Sequence, residues 1–240
     1  MWHTRVRQAA LTAAATLSFV FLFAVVVLAQ EAGADKRQNA PGQFDFYVLA
    51  LSWSPTYCEQ ARERGGERKA DPQCAGRPFA FVVHGLWPQY EHGFPSYCQV
   101  PAPKLDRGVV GRALDVMPSP SLVFHEWERH GTCSGLSPAA YFETAHKARA
   151  AVKIPQDYLA LAAPLTVAPG DIADAFIKSN PGLTREAMAV ACNKDRLSEV
   201  RVCLGKDFSF RACPEIARRT CTRETVEMPA MRSDHTAATP

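Results

Sequence analysis

The chain has 240 residues, eight cysteines and a formal charge of +3. That length supports one domain with a sizeable core and is short for two. The small net charge excludes inferring a nucleic-acid binder from global charge; any attraction for a polyanion must come from local clusters such as Arg62 to Lys69 or Arg201 to Arg223, which more often are solvated faces.

Arg5 and Arg7 precede an apolar run from Leu11 to Ala29, and Val27-Leu28-Ala29 ends it with a small residue before Gln30. This pattern predicts a signal peptide over residues 1–29 with cleavage before Gln30. The alternative is an uncleaved anchor, because the run nearly suffices to span a bilayer. Both readings put the remainder outside the cytoplasm, secreted or periplasmic. Residues 30–42 are small and polar and read as a flexible leader, a single domain is expected over 43–222, and the tail 223–240 has no apolar period and reads as disordered.

Within the domain, Phe44 to Trp53 is a buried strand that Ser54-Pro55 ends. Glu59 to Gly76 is a charged loop that Cys58 and Cys74 could staple, and Phe79 to Val83 is a second strand delivering His84 at its end. Glu91 to Lys104 holds Pro95, Pro101 and Pro103 and forms a long irregular connection pinned by Cys98. Ser121 to His130 fits a short helix stopped by Gly131. Ser137-Pro138 opens a longer helix through about Lys153, and Asp171 to Ser179 forms another. Glu186 to Cys192, Leu197 to Leu204 and Phe208 to Cys213 read as strands, the last two joined by Gly205-Lys206-Asp207. Central helices with strands at both ends indicate an α+β fold with an antiparallel sheet.

All eight cysteines (Cys58, Cys74, Cys98, Cys133, Cys192, Cys203, Cys213 and Cys221) follow the apolar run, which in an oxidising compartment favours four disulfides. No CxxC pair occurs, so zinc is the weaker reading, and spacing alone leaves about 105 pairings open.

Two segments concentrate the chemistry: Phe81 to Tyr90 (FVVHGLWPQY) and Phe124 to Cys133 (FHEWERHGTC). They supply three histidines, two glutamates, an arginine and two tryptophans. RNA cleavage without a metal requires a base for the ribose 2′-OH, an acid for the leaving 5′-oxygen, and cations for the charge that grows on phosphorus. Histidine serves both proton roles near neutrality. On a helix Glu126 and His130 share a face, whereas His125 and His130 are five apart and diverge. H-E-x-x-x-H is therefore not the zinc-protease signature, which has its histidines four apart. His3, His92, His146 and His235 stand outside both segments and read as structural or solvated.

HGLWP at His84 to Pro88, HEWERHGTC at His125 to Cys133 and ALSWSPTYC at Ala50 to Cys58 together resemble the active-site and amino-terminal motifs of the ribonuclease T2 family. The resemblance implies a disulfide-stabilised α+β fold and an endoribonuclease of low base specificity. Its substrate would be single-stranded RNA, cleaved through a 2′,3′-cyclic phosphate with no metal or cofactor. DNA lacks the attacking hydroxyl and is expected to be spared, and the chain left after signal cleavage is expected to have no membrane partner and to act as a monomer. By family pattern Cys98 pairs with Cys133, Cys192 with Cys221 and Cys203 with Cys213, leaving Cys58 with Cys74. Carried over by position, His130 takes the 2′-OH proton and His84 protonates the leaving oxygen. His125 and Arg129 bind the phosphate, while Glu126 beside them orients His130 or raises its pKa. Arg129 stands where the family commonly has lysine; it keeps the charge but not the proton source. Gln89 stands where relatives often have an acid, so base preference does not transfer. Trp87 is a candidate for stacking on a base, with a core role as the alternative, while Trp53 and Trp127 read as core. The competing functional reading is a non-catalytic RNA-binding or effector member of the same fold.

Overall fold

The computed structural model describes residues 37–64, 71–75 and 77–231. The expected signal peptide, most of the leader and the tail beyond Met231 lie outside the described residues. Along the chain run β1 (Phe46–Trp53), α1 (Ser54–Glu63), β2 (Phe81–Gln89), α2 (Arg107–Ala113), α3 (Pro120–Arg129), α4 (Pro138–Ala151), β3 (Leu165–Val167), α5 (Pro169–Ser179), β4 (Met188–Asn193), β5 (Arg196–Leu204), α6 (Pro214–Ala217) and β6 (Val226–Met228). The strands form one sheet in the order β2-β1-β5-β6-β3, with β4 also paired to β5. Every pairing is antiparallel except a single parallel one, Arg196 of β5 with Glu227 of β6.

β1 sits inside the sheet and is covered on both faces, which is why its sequence is continuously apolar rather than alternating. Tyr47, Leu49, Leu51 and Trp53 join the main core with Trp127, Tyr141, Ile172 and Phe176 from the helices. Phe46 and Val48 face a smaller cluster with Ala189, Cys203, Cys213 and Ile216, on whose edge Trp87 packs. Each large apolar side chain so covered contributes about 1.5–3 kcal/mol relative to exposure. Trp53 and Trp127 are buried as core residues, and their indole N–H groups donate to the carbonyls of Pro229 and Pro103.

Proline stands in the first turn of α1, α3, α4, α5 and α6, where its missing N–H has no intrahelical partner to lose. Ser137 caps α4 by accepting from the Ala140 N–H, as its position before Pro138 predicts, and Asp106 caps α2.

Several expected elements differ. Pro55 ends β1 but also opens α1, so the first part of the expected loop Glu59 to Gly76 is helix. β2 does not stop before His84; it continues through Gln89 and carries His84 in its interior. Phe208 to Cys213 is not a strand: Phe208 has a left-handed φ of 65°, and only one bridge, Leu204 to Phe210, survives beyond the turn. α2 and the three-residue β3 were not expected.

The tail is ordered well past 222: β6 pairs with β3, and Val226 and Met228 are buried. Two apolar residues in alternation are too short a period to read from sequence. Order also begins earlier than Phe44. In the last part of the leader the Asn39 N–H donates to the Tyr90 hydroxyl and the Gly42 N–H to the Cys133 carbonyl. Gly42 and Gly135 meet back to back, and a Cβ on Gly135 would come 2.8 Å from the Gly42 Cα.

The four disulfides join Cys58 to Cys74, Cys98 to Cys133, Cys192 to Cys221 and Cys203 to Cys213. Each constrains the unfolded chain and stabilises by about 2–4 kcal/mol. Cys98–Cys133 ties the irregular 91–104 connection to the end of α3. The Tyr97 N–H bond to the Arg129 carbonyl and the Cys98 N–H bond to Thr132 Oγ1 reinforce that tie.

Candidate active site

The site begins with an irregularity in β2. Ala50 pairs with Gly85 and Leu51 with Val83, so His84 is an extra residue, a β-bulge. Regular alternation would put His84 and Leu86 on one face. The bulge instead lets Val83 and Leu86 both enter the main core while His84 and Trp87 both turn to the cleft. Bulges re-aim side chains in this way beside functional sites.

Gly85, the next residue, is obligatory. A Cβ there would lie 2.0 Å from Glu126 Oε2 and 2.2 Å from Trp87 Nε1. Those two atoms form a hydrogen bond of 2.8 Å, the indole N–H donating to the carboxylate.

α3 contributes the second segment. Glu126 and Trp127 point inward, whereas His125 is exposed and Arg129 half-buried. The helix ends at His130, its C-cap, whose N–H still donates to the Glu126 carbonyl. Gly131 follows because a Cβ there would meet the Trp127 ring at 2.4 Å.

All six residues singled out from the two motifs line one open cleft of about 310 Å³: His84, Trp87, His125, Glu126, Arg129 and His130. Trp87 stands between the imidazoles. Its ring centroid is 5.4 Å from that of His84, edge-on, and 5.4 Å from that of His130. Gln89, the exposed Phe94, Arg201, Ile216 and Arg219 complete the walls.

The electrostatics separate the two imidazoles. His84 Nδ1 is 2.7 Å from Glu199 Oε1, and its Nε2 is 3.7 Å from Glu126 Oε1. Burial disfavours its charged form, but the hydrogen bond and charge of Glu199, with Glu126, outweigh burial and the repulsion of Arg201, so its pKa is raised above 6.5. His130 is pushed down to about 3 by burial first, then by the positive charges of Arg129, His125 and His84. Its Nδ1 is buried with no hydrogen-bond partner among the described residues, as is Arg129 Nε. Glu126 is raised to about 7 by burial, against the favourable pull of His84, the Trp87 N–H and Arg129.

One expectation is corrected here: Glu126 does not serve His130. Although the two are four apart on α3, the carboxylate turns across to His84 and Trp87, and His130 is lowered rather than raised. Trp87 is half-buried, with its N–H committed to Glu126 and the Arg201 guanidinium 5.4 Å over its ring. Sequence reasoning also missed Arg201, which β5 brings to the cleft, and Glu199, which the same strand sets against His84 Nδ1. A signal was present, since they alternate with Val200 and Val202 in an apolar strand and so share the face opposite the main core.

A family model described as the Ribonuclease T2 family matches residues 44–213. The chain belongs to the ribonuclease T2 family. Among the proteins it is similar to is one of Aeromonas hydrophila named "Ribonuclease". It is 38% identical over 130 residues, which cover 54% of this chain and 56% of that protein. A "Probable ribonuclease" of Haemophilus influenzae is 37% identical over 131 residues, covering 51% of this chain and 48% of that protein. The chain thus spans about half the length of these two relatives. The solved structure of RNase NT in complex with 5′-AMP superposes with a TM-score of 0.60 at 25% identity, over 78% of this chain and 99% of that one. This likeness accords with the α+β fold.

Proposed function

We propose that this chain is an endoribonuclease that cleaves single-stranded RNA by metal-independent transesterification through a 2′,3′-cyclic phosphate, with low base specificity. The observation that carries the reading is the opposite protonation bias of two imidazoles on one cleft: His84 held charged by carboxylates, His130 held neutral by burial and cations. Pairs of groups whose environments push their pKa values apart assign the acid and the base.

His130 accepts the 2′-OH proton, O2′ bonds to phosphorus, the P–O5′ bond breaks, and His84 Nε2 protonates the departing O5′. Water then opens the cyclic ester with the two roles exchanged, leaving a 3′-phosphate. A phosphate between His125 and Arg129 offsets the positive field that depresses His130, so substrate binding itself raises the base toward a useful pKa. Arg129 brings a forked donor to the phosphate oxygens. Glu126, raised to about 7 and bonded to Trp87, lies beside His84 and takes part in its proton balance. The aromatic faces of Trp87 and the exposed Phe94 stack on bases, a contact that tolerates any base.

DNA lacks the attacking hydroxyl and is spared. The mature chain acts outside the cytoplasm, secreted or periplasmic, as a monomer without a membrane partner. The run from Leu11 to Ala29 and four disulfides support that placement. Among the described residues no helix is long and apolar enough to cross a membrane.

Mass spectrometry of short RNAs tests the reading. Products ending in 2′,3′-cyclic phosphate, formed equally with EDTA present, are expected; 5′-phosphate products, or activity abolished by EDTA, would overturn it. A second expectation concerns pH. His130 must be neutral, so kcat/KM falls as pH drops through its lowered value of about 3. His84 must be charged, so kcat/KM falls as pH rises through a value above 6.5. The profile is therefore a bell with an acid-to-neutral plateau, and a rate that climbs steadily into alkaline pH would contradict the assignment.

A further inference from the structure

Glu199 is an interior carboxylate on an interior strand. It sits mid-way along β5, opposite Ser52 of β1 and Ala191 of β4, and is 5% exposed. A buried carboxylate is costly unless both oxygens find donors. Here both do: Oε1 lies 2.7 Å from His84 Nδ1, and Oε2 accepts from Arg201 Nε at 2.6 Å. Arg201 is two residues on and projects from the same face of β5, so one strand carries both the carboxylate and its counter-charge.

The arrangement has a direction. With Nδ1–H committed to Glu199, Nε2 is the nitrogen that turns toward Glu126 at 3.7 Å and the cleft. The other charged or titratable groups facing His84 are Glu126 on α3, Arg201 on β5 and His130 at the end of α3. Glu126, raised to about 7, is only partly ionised near neutrality, whereas the pairs with His84 and Arg201 overcome burial and hold Glu199 below the ordinary carboxylate range. The lasting negative charge beside His84 is therefore that of Glu199.

We propose that Glu199 is the positioning residue of His84: its carboxylate fixes the imidazole with Nε2 toward the leaving oxygen and keeps it charged, and Arg201 holds the carboxylate in place and limits its pull. The proposal deepens the ribonuclease reading and rests on it for the identity of the leaving group. The pairing of base or acid with an orienting third group is the general logic of catalytic imidazoles. Glu199 lies 115 positions after His84, so the fold alone assembles them.

The test reads His84 directly, by NMR titration of its imidazole, alongside kcat and KM on a short RNA. In Glu199→Gln, which keeps the shape and can still accept from Nδ1–H, the His84 midpoint is expected to fall by about 1–2 units. The alkaline limb of the rate profile should move down with it, and kcat at pH 7 should drop about tenfold or more with little change in KM. Glu199→Asp keeps the charge on a shorter arm, so its midpoint is expected to lie above that of Glu199→Gln. A midpoint unchanged in Glu199→Gln, or as low in Glu199→Asp as in Glu199→Gln, would overturn the proposal. If Glu199→Gln fails to fold, the Nδ1–H signal of His84 in the unaltered protein decides it: a hydrogen-bonded, exchange-protected proton supports the proposal and a freely exchanging one overturns it. Should the unaltered protein leave RNA intact, the ribonuclease reading falls, yet the His84 titrations still decide whether Glu199 governs His84.

Discussion

Replacing His130 with alanine is expected to lower kcat/KM on a short RNA by about 10²–10⁴-fold, the usual contribution of a positioned proton-transfer group. The loss should come without unfolding. His130 Nδ1 is buried with no hydrogen-bond partner among the described residues, so removing the imidazole also removes an unsatisfied polar atom, offsetting the small void it leaves. The His84→Ala loss should be similar, and the double variant should lose little beyond either single one, since the two groups act as a unit. A substrate whose leaving group needs no proton, such as a nucleoside 3′-(4-nitrophenyl phosphate), separates the roles. It should largely restore His84→Ala and leave His130→Ala impaired. The reverse pattern would exchange acid and base, and near-normal rates in both variants would remove the two imidazoles from the chemistry.

Gly85→Ala should damage stability and activity together. The new methyl would sit 2.0 Å from Glu126 Oε2 and 2.2 Å from Trp87 Nε1, so one of them must leave. Neither has a free route: Glu126 is 1% exposed and Trp87 packs on the second apolar cluster. Overpacking costs about 1–3 kcal/mol. Separating a buried carboxylate from its donor adds about 1–3 kcal/mol. A fall in thermal midpoint of several degrees is expected, with a rate loss of at least tenfold under conditions where the variant is folded. Thermal unfolding and kinetics on the same preparation check this. A variant as stable and as active as the unaltered chain would show that the 2.8 Å indole–carboxylate bond has no part in the site.

Much of the site was legible because its residues cluster in two short motifs. His84 with Trp87, and His125 with Glu126, Arg129 and His130, are local groupings whose order and spacing survive any folding route. What misled was the helical wheel: it pairs Glu126 with His130, but side-chain direction at the end of a helix is set by what lies across the gap. There Trp87 offers a donor and His84 a charge. The tail was misread for a related reason. β6 is three residues long and gains its place by pairing with β3 and β5 and by covering the Trp53 end of the core.

By itself the sequence determined the elements that depend on near neighbours. The apolar run of β1, the proline-started helices, the Ser137 cap and the irregular connection through Cys98 all follow from local propensity and pattern. Only the tertiary structure decided the bulge that turns His84 to the cleft, the carboxylate from β5 that receives its Nδ1, and the opposite charge states of the two imidazoles. These depend on strand register, burial and field, and such quantities exist only once separate stretches of the chain, 115 positions apart in the case of His84 and Glu199, are brought within a few ångströms.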